Sequence, residues 1–225
     1  MATSVLFEEQ VEIPLNLRSL EDFRRWALSA SFPERGRIDF LAGRIEVDIS
    51  PEDFFCHGVL KTELIGVFMK RVKRDSMGYL LTDSTRVSCP NADLSVEPDI
   101  VFVSHRAIAT GQVRLIAKAS AEPGRYIELE GPPDLVVEIV SDSSVGKDTR
   151  RLPAAYAQAG VGEFWLIDAR GRELRFEIHH LHNAAYMAAQ RDTDGFQSST
   201  VFGCMFRLDR TLTHEGHWSF DLREK

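Results

Sequence analysis

The chain has 225 residues, of which 44% are hydrophobic, and it carries a formal net charge of −7 at pH 7. This length is enough for a sizeable core, and the acidic balance argues against broad, sequence-independent adhesion to nucleic acid, because that adhesion depends on neutralised phosphates. No stretch approaches the roughly 20 apolar residues of a membrane span, the N-terminus lacks a signal-peptide pattern, and three widely spaced cysteines suit a reducing compartment. We therefore expect a cytoplasmic protein without a membrane span.

Two parts of the chain are expected from its composition. Residues 1–17 are predicted to form a loosely attached lead-in, and residues 18–225 a single mixed α/β domain, since no internal repeat or low-complexity linker divides them. A short helix is predicted to begin after Ser19, which has the pattern of an N-cap residue followed by an amphipathic run.

A β-hairpin is predicted over residues 36–49. Alternating apolar and polar residues form two strands that meet at Ala42-Gly43, where glycine allows a tight turn. Asp39 stands between Ile38 and Phe40 and faces either solvent or a polar pocket. Of these two positions we expect solvent.

A longer helix is predicted from about residue 54 to residue 74 by the spacing of its apolar residues. His57 stands near its beginning, where a lone histidine is more often structural than catalytic. Residues 61–74 contain five basic side chains and one acidic one. We expect these to be the solvated face of an amphipathic helix rather than a nucleic-acid groove.

Two short apolar runs each contain one acid. Residues 96–103 are predicted to form a strand that begins at Pro98-Asp99, because proline favours the start of a strand at a sheet edge or cleft. Residues 135–140 are predicted to form a buried strand that contains Glu138 among apolar neighbours. A loop, a helical stretch and the apolar run 164–167 follow, so the sequence predicts a strand, a helix and a strand in succession.

Glu138 needs a partner, because a carboxylate in an apolar interior must be paired, protonated or bound to a cation. Two interpretations remain open from the residues alone: an ion pair with Arg150 or Arg151 in a purely structural oligomeric domain, or a metal ligand at an active site. Carboxylates on adjacent strands, here Asp99 and Glu138, can bind Mg²⁺ and leave coordination positions for a phosphate oxygen and an attacking hydroxide. Lys147 and the two arginines supply positive charge nearby.

The remaining segments are less informative. A short helix is predicted around residues 113–119. Residues 172–179 and 186–191 are predicted to be strands of a C-terminal meander, followed by a strand near residues 199–202 and an apolar tail.

Four segments resemble a known family. They are RIDFLAGRIEV at 37–47, EPDIVFVS at 97–104, PPDLVVEIVSDSS at 132–144 and AAYAQAGVGEFWLID at 154–168, and the helix that begins near His57 accompanies them. Together they resemble the Uma-type restriction endonuclease family of the PD-(D/E)XK nuclease superfamily, over roughly residues 18 to 170. The resemblance implies an α/β, restriction-endonuclease-like core with a central mixed β-sheet flanked by helices, metal-dependent DNA cleavage and often a dimer.

The resemblance also assigns residues. Asp99 matches the acid of the Pro-Asp half of the motif, and Glu138 matches the acid of its second half. These two would bind the metal with help from the Ile139 carbonyl. Asp39 matches an acidic position of the family's hairpin and is a possible third acid, while His57 matches a recurrent histidine of unassigned role.

The motif's lysine is displaced in this sequence. Val140 stands two residues after the glutamate, where the lysine is expected. Leu152 stands four residues before Tyr156, where this family usually carries the displaced lysine. The resemblance therefore leaves Lys147, or secondarily Arg151, to supply the positive charge.

The leading hypothesis from the sequence is a Mg²⁺-dependent endonuclease, with Mn²⁺ as a substitute, that acts on DNA as a cytoplasmic homodimer through Asp99, Glu138 and Lys147. The nuclease-like domain would span residues 18–225, with an N-terminal helix and hairpin before the core and a β-meander after it. The alternative is a catalytically silent nuclease fold that binds nucleic acid or a protein partner.

Overall fold

The computed structural model describes residues 13–33, 36–118 and 124–225. Its α-helices are α1 (Leu20–Ala27), α2 (Leu60–Arg74), α3 (His105–Ala109) and α4 (Leu152–Ala159), with π-helical turns at Phe54–Val59 before α2 and at Lys147–Arg151 before α4. The strands in chain order are β1 (Arg37–Leu41), β2 (Arg44–Asp48), β3 (Gly78–Thr82), β4 (Arg86–Cys89), β5 (Leu94–Val96), β6 (Ile100–Ser104), β7 (Arg114–Ala117), β8 (Tyr126–Glu130), β9 (Leu135–Ile139), β10 (Glu163–Asp168), β11 (Arg175–His182), β12 (Ala185–Ala188), β13 (Gln197–Ser199), β14 (Cys204–Leu212) and β15 (Trp218–Glu224).

The strands form three sheets. The central sheet has the order β12-β11-β10-β9-β6-β3, the hairpin sheet has the order β2-β1-β5-β4-β8-β7, and the C-terminal sheet has the order β13-β14-β15. The central sheet is mixed, because β9 and β10 are parallel and the neighbouring pairs are antiparallel. The predicted fold class is confirmed. The structure adds the hairpin sheet, and β11 and β12 extend the central sheet.

The β9-α4-β10 unit builds the middle of the core. Every residue of β9 is buried, and its two faces enter different apolar clusters. Val136 and Val140 pack with α4, while Val137 and Ile139 pack toward α2 and the C-terminal sheet. Since a fully buried aliphatic side chain contributes about 1.5–3 kcal/mol to folding, this strand is held firmly. Glu138, on the α4 side, is correspondingly fixed in position.

The helix predicted from residue 54 to residue 74 is present as the π-helical turn followed by α2. Asp53 caps the turn by accepting hydrogen bonds from the backbone N–H groups of Phe55 (2.9 Å) and Cys56 (2.6 Å). The expected solvated basic face holds for Lys73, which is exposed, but is wrong for Lys61, which is 5% exposed. Lys61 points toward acids at the end of the central sheet.

The hairpin β1-β2 turns where the sequence predicted, with Ala42 and Gly43 at φ 49° and 75°. Asp39 is 1% exposed, so the expectation that it faces solvent is wrong. Its Oδ1 accepts the backbone N–H of Glu97 at 3.0 Å. The hairpin is therefore packed against the rest of the molecule, and the polar side of β1 faces inward.

Two local predictions are corrected. The helix expected over 113–119 is strand β7, because its residues pair with β8; residue 119 lies outside the described residues. The strand expected near 199–202 ends at Ser199, and a turn follows. Of the predicted lead-in, residues 1–12 lie outside the described residues, whereas Ile13 and Leu17 pack against the cluster around α1.

No helix in the described ranges combines the length and the apolar character that crossing a membrane requires.

Candidate active site

Asp99 immediately precedes β6, and Glu138 lies in the neighbouring antiparallel strand β9. Ile100 of β6 pairs with Val137 of β9, so the residue before Ile100 faces the residue after Val137. Directly opposed residues of an antiparallel pair project from the same face of the sheet. Both side chains are 1% exposed. The fold therefore brings two acids, 39 positions apart in the chain, to one buried place (138 minus 99).

Asp99 is surrounded by donors. Its Oδ2 accepts the backbone N–H of Ile139 at 2.7 Å. Its Oδ1 lies 3.0 Å from Arg37 Nη2, 3.2 Å from Lys61 Nζ and 3.3 Å from His57 Nε2. Burial raises the pKa of the Asp99 carboxyl, but the His57 hydrogen bond and the charges of Arg37 and Lys61 outweigh burial and hold that pKa well below its usual range.

The negative charge of Glu138 is compensated much more weakly than that of Asp99. The Tyr156 hydroxyl donates a 2.5 Å hydrogen bond to Glu138 Oε1. Burial, followed by the negative charges of Asp99 and Asp148, raises the pKa of Glu138 well above its usual range, and the charge of Arg37 offsets this only in part. Glu138 is thus a buried acid whose ionised form requires further positive charge.

The structural interpretation of Glu138 as the partner of Arg150 or Arg151 is wrong. Among the described residues neither arginine forms an ion pair with Glu138, and Arg151 pairs with Glu46 of β2 instead. Arg151 is therefore not brought to the acidic pair. The displaced cation of the motif, if it acts here, has to come from another residue.

Lys147 lies beside Asp39 and near Glu138. It is 8% exposed, and its Nζ donates a hydrogen bond to Asp39 Oδ2. Burial lowers the pKa of Lys147, but the charge and hydrogen bond of Asp39 and the charge of Glu138 outweigh burial and raise it. The ammonium group is therefore charged at neutral pH, and Asp39 holds it close to Glu138.

His57 connects the acidic pair to a surface acid. Its side chain is 4% exposed, with Nε2 beside Asp99 and Nδ1 2.9 Å from Glu52 Oε2. Burial lowers the pKa of His57, but the hydrogen bonds with Asp99 and Glu52 outweigh burial and raise it to about 9. Ligand atoms of Glu52, His57 and Asp99 all lie within 4.8 Å of one another.

The sequence did not single out Arg37, Glu52 or Lys61 as site residues. Lys61 stands four positions after His57, a spacing that puts two side chains on one helical face and could have indicated a joint role. Arg37 and Glu52 lie far from Asp99 in sequence and carry no comparable signal. Their contribution depends on how the hairpin packs against the central sheet.

A cavity of about 500 Å³ opens beside these groups. Ile139, Arg37 and His57, which contact Asp99, line it, whereas Asp99 and Glu138 themselves are 1% exposed and lie behind this wall. The rest of its wall is mainly acidic and hydroxyl side chains: Asp48, Ser50, Glu52, Asp83, Ser84, Glu97, Ser141 and Ser143. Oxygen atoms of this kind suit a hydrated divalent cation and its water ligands.

The residues fit a divalent cation on two grounds. Glu138 has a buried carboxylate that the surrounding basic groups compensate only in part, and carboxylate oxygens are the ligands that Mg²⁺ prefers. Ligand atoms of Glu52, His57 and Asp99 lie close enough to share an ion once His57 gives up its proton, and imidazole nitrogen suits Mn²⁺ and other transition metals better than Mg²⁺. Glu138 with Asp99 and Glu52 with His57 are therefore the groups that would hold an ion.

The fold is that of a nuclease class. A crystal structure described as a putative nuclease belonging to DUF820, from Anabaena variabilis, is similar with a TM-score of 0.59 and 18% sequence identity, covering 82% of this chain and 90% of that chain. A profile of the Uma2 family, described as "Putative restriction endonuclease", matches residues 20–211. The chain belongs to the Uma2 family, which confirms the resemblance found in the sequence. No curated protein matches the sequence.

Proposed function

We propose that this chain is a Mg²⁺-dependent endonuclease, with Mn²⁺ as a substitute, that hydrolyses phosphodiester bonds of DNA through Asp99, Glu138 and Lys147. Membership of a restriction endonuclease family supports the reaction class and DNA as the substrate. The observation that carries the proposal is the closeness of two buried acids, Asp99 directly before β6 and Glu138 in β9, where the charge of Asp99 acts on Glu138.

Each residue has a distinct task. Asp99 and Glu138 would hold the divalent cation, which would supply Lewis acidity and lower the pKa of a bound water. Lys147, held by Asp39, offers a charged ammonium group that orients the attacking water and balances negative charge on the phosphate. Tyr156 holds the Glu138 carboxylate in one orientation.

Plasmid cleavage tests the proposal. Purified protein is incubated with supercoiled plasmid and Mg²⁺ or Mn²⁺, in parallel with Asp99→Asn, Glu138→Gln and the control Glu173→Gln, which removes an exposed acid far along the chain. We expect nicking or linearisation by the wild type and the control, and a loss of about 10²-fold or more in the two site variants, the scale of removing one electrostatic stabiliser. Cleavage that is insensitive to both site substitutions would contradict the assignment.

Two further expectations belong to this proposal. Residues 18–225 form one nuclease-like domain, and the chain acts as a homodimer in the cytoplasm. A single cooperative unfolding transition and a dimer mass in light scattering are the expected results. Two separate unfolding transitions would contradict the single domain, and a monomer at all concentrations would contradict the homodimer. Neither result would affect the proposed cleavage reaction.

A catalytically silent module is the second candidate. Val140 stands where the motif's lysine is expected, and Asp99 already contacts three basic groups. A silent module would bind labelled DNA or a protein partner with full affinity while leaving plasmid intact with either metal. Cleavage lost in the Glu138→Gln variant excludes this candidate.

A further inference from the structure

One carboxylate oxygen in the site receives three basic groups. Asp99 Oδ1 is approached by Arg37 at 3.0 Å, by Lys61 at 3.2 Å and by His57 at 3.3 Å. The other oxygen, Oδ2, is turned toward the strand, where it accepts the N–H of Ile139. Arg37 and His57 line the cavity and Asp99 does not, so a cation that approaches Asp99 from the cavity requires at least one of these groups to move.

The three groups are not equally held. Lys61 also contacts Asp83 at 2.7 Å and Glu52 at 3.7 Å, and its side chain is 7% exposed. His57 has Glu52 on its other side and is equally enclosed, at 5%. Both would keep an acidic neighbour if Asp99 turned away.

Arg37 differs in both respects. Over the ranges that the structure describes, Asp99 is the one carboxylate within 4.0 Å of its guanidinium. Its side chain is 21% exposed and lines the 500 Å³ cavity. The negative charges of Glu138 and Asp39 also act on it from nearby. Arg37 is thus bonded to one acid, influenced by the charges of several others, and open to the place where substrate would lie.

We propose that Arg37 is an exchangeable counter-ion. Its guanidinium group balances the acidic pair while no metal is bound, releases Asp99 when a divalent cation binds, and then contacts a phosphate oxygen of the nucleic acid in the cavity. This inference rests on the proposed function, because it needs a cation at Asp99 and Glu138. A guanidinium group suits the second role, since its planar array of donors matches phosphate oxygens.

The two roles of Arg37 have opposite effects on binding. A positive charge beside Asp99 repels an incoming divalent cation, so Arg37 weakens metal binding in the free protein. The same charge strengthens DNA binding once the metal is present. An arginine that only supported the structure would have the opposite effect on the metal, because its removal would loosen the ligands and weaken metal binding.

Mn²⁺ titration of the full chain by calorimetry, without DNA, separates these possibilities. The variants are Arg37→Gln and Arg37→Met, which remove the charge, and Arg37→Lys, which keeps it. Arg44→Gln is the matched control, since it removes an exposed arginine of the same hairpin. We expect about tenfold tighter Mn²⁺ binding in the two neutral variants, within the usual range of coupling between two bound charges. Affinity in the lysine variant and in the control should stay close to that of the wild type.

DNA affinity provides the second measurement. With a labelled duplex and Ca²⁺ in place of a cleaving metal, the neutral Arg37 variants should bind about tenfold more weakly than the wild type, the scale of one lost phosphate contact. Equal or weaker Mn²⁺ binding in the neutral variants, while the wild type binds Mn²⁺, overturns the inference alone. Absence of Mn²⁺ binding in the wild type and in every variant overturns the proposed function with it.

Discussion

The Tyr156 hydroxyl donates a 2.5 Å hydrogen bond to Glu138 Oε1, and the two side chains are 0% and 1% exposed. This hydrogen bond connects helix α4 to Glu138 of β9. It fixes the carboxylate of Glu138 with respect to Asp99, because both α4 and β9 are rigid elements of the core.

Substituting Tyr156→Phe should reduce both stability and metal binding. Removing the donor leaves a buried carboxylate with less compensation, which lowers the free energy of unfolding by about 1–3 kcal/mol. It also raises the pKa of Glu138 further, so the rise of cleavage with pH should move to higher pH. Urea unfolding and a pH profile of plasmid cleavage measure these effects.

Tyr186→Phe is the matched control, since the Tyr186 hydroxyl donates to the backbone oxygen of Val161 at 2.9 Å, away from the acids. That variant should lose stability without any shift of the cleavage profile. Identical pH profiles in the two variants would contradict a role of Tyr156 at Glu138.

Lys147 and Asp39 should behave as a coupled pair. Lys147→Met leaves the buried Asp39 carboxylate unpaired and should lower the free energy of unfolding by about 3–5 kcal/mol. Asp39→Asn should also destabilise the protein. The double variant should lose clearly less free energy of unfolding than the two single variants lose together. Urea unfolding of the wild type, the two single variants and the double variant gives the coupling energy directly. If the losses of the single variants add up to that of the double variant within about 0.5 kcal/mol, the two groups are independent.

Glu163 explains why the sequence alone left Glu138 ambiguous. Both are buried acids next to apolar β-formers, although Glu138 lies inside its apolar run and Glu163 begins one. Glu163 accepts hydrogen bonds from Trp165 Nε1 at 2.7 Å, from Ser199 Oγ at 2.6 Å and from the backbone and side chain of Thr200 at 2.7 and 2.9 Å. Hydrogen-bond donors of the chain therefore satisfy the Glu163 carboxylate. Glu138 has one hydroxyl donor, and its ionised form depends on additional positive charge.

Glu163→Gln should accordingly affect the fold and not the chemistry. An amide presents N–H groups to donors that previously met a carboxylate, so we expect a loss of about 3 kcal/mol or more, the sum of several buried hydrogen bonds. Cleavage per folded molecule should be unchanged. Calorimetric unfolding together with plasmid cleavage checks this expectation, and a selective loss of cleavage in a stably folded variant would disprove it.

Much of the fold followed from local pattern, because the hairpin, α2 and the β9-α4-β10 unit each have a clear period and clear end signals. The hairpin sheet could not be predicted from local pattern. Its strands β4, β5, β7 and β8 are short, and their pairing depends on contacts that no local pattern encodes. Strand β7 is the clearest case: its residues suggested a helix, and pairing with β8 decided otherwise.

The site was predicted in part for the same reason. Asp99 and Glu138 stood out as acids in apolar runs, and Lys147 as a basic residue in the segment that follows Glu138. Arg37 and Glu52 reach Asp99 only through the packing of the hairpin and the loop before α2. Asp39 was expected in solvent because an alternating strand does not indicate what lies against its polar face.

His57 should make the stability depend on pH. Its pKa is raised from 6.5 to about 9, so its protonated form is favoured in the folded protein. The stabilisation from its bonds with Asp99 and Glu52 is therefore complete below pH 6.5 and is lost as the pH rises through 9. The free energy of unfolding should fall over that interval in the wild type and stay nearly flat in His57→Gln.

The control for this measurement is His214→Gln, which removes an exposed histidine and should keep the slope of the wild type. Denaturant unfolding at several pH values between 6.5 and 9 gives all three curves. A slope that is the same in His57→Gln as in the wild type would assign the pH dependence to other groups.

The location of a bound ion tests the central claim most directly. Crystals soaked in Mn²⁺ and measured near the manganese absorption edge should give an anomalous difference peak about 2.2 Å from one oxygen of Asp99 and one of Glu138, the distance expected for a divalent ion and carboxylate ligands. A peak bonded to Glu52 and His57 but distant from Glu138, or no peak at Asp99, would contradict the account of these two acids as a shared metal site.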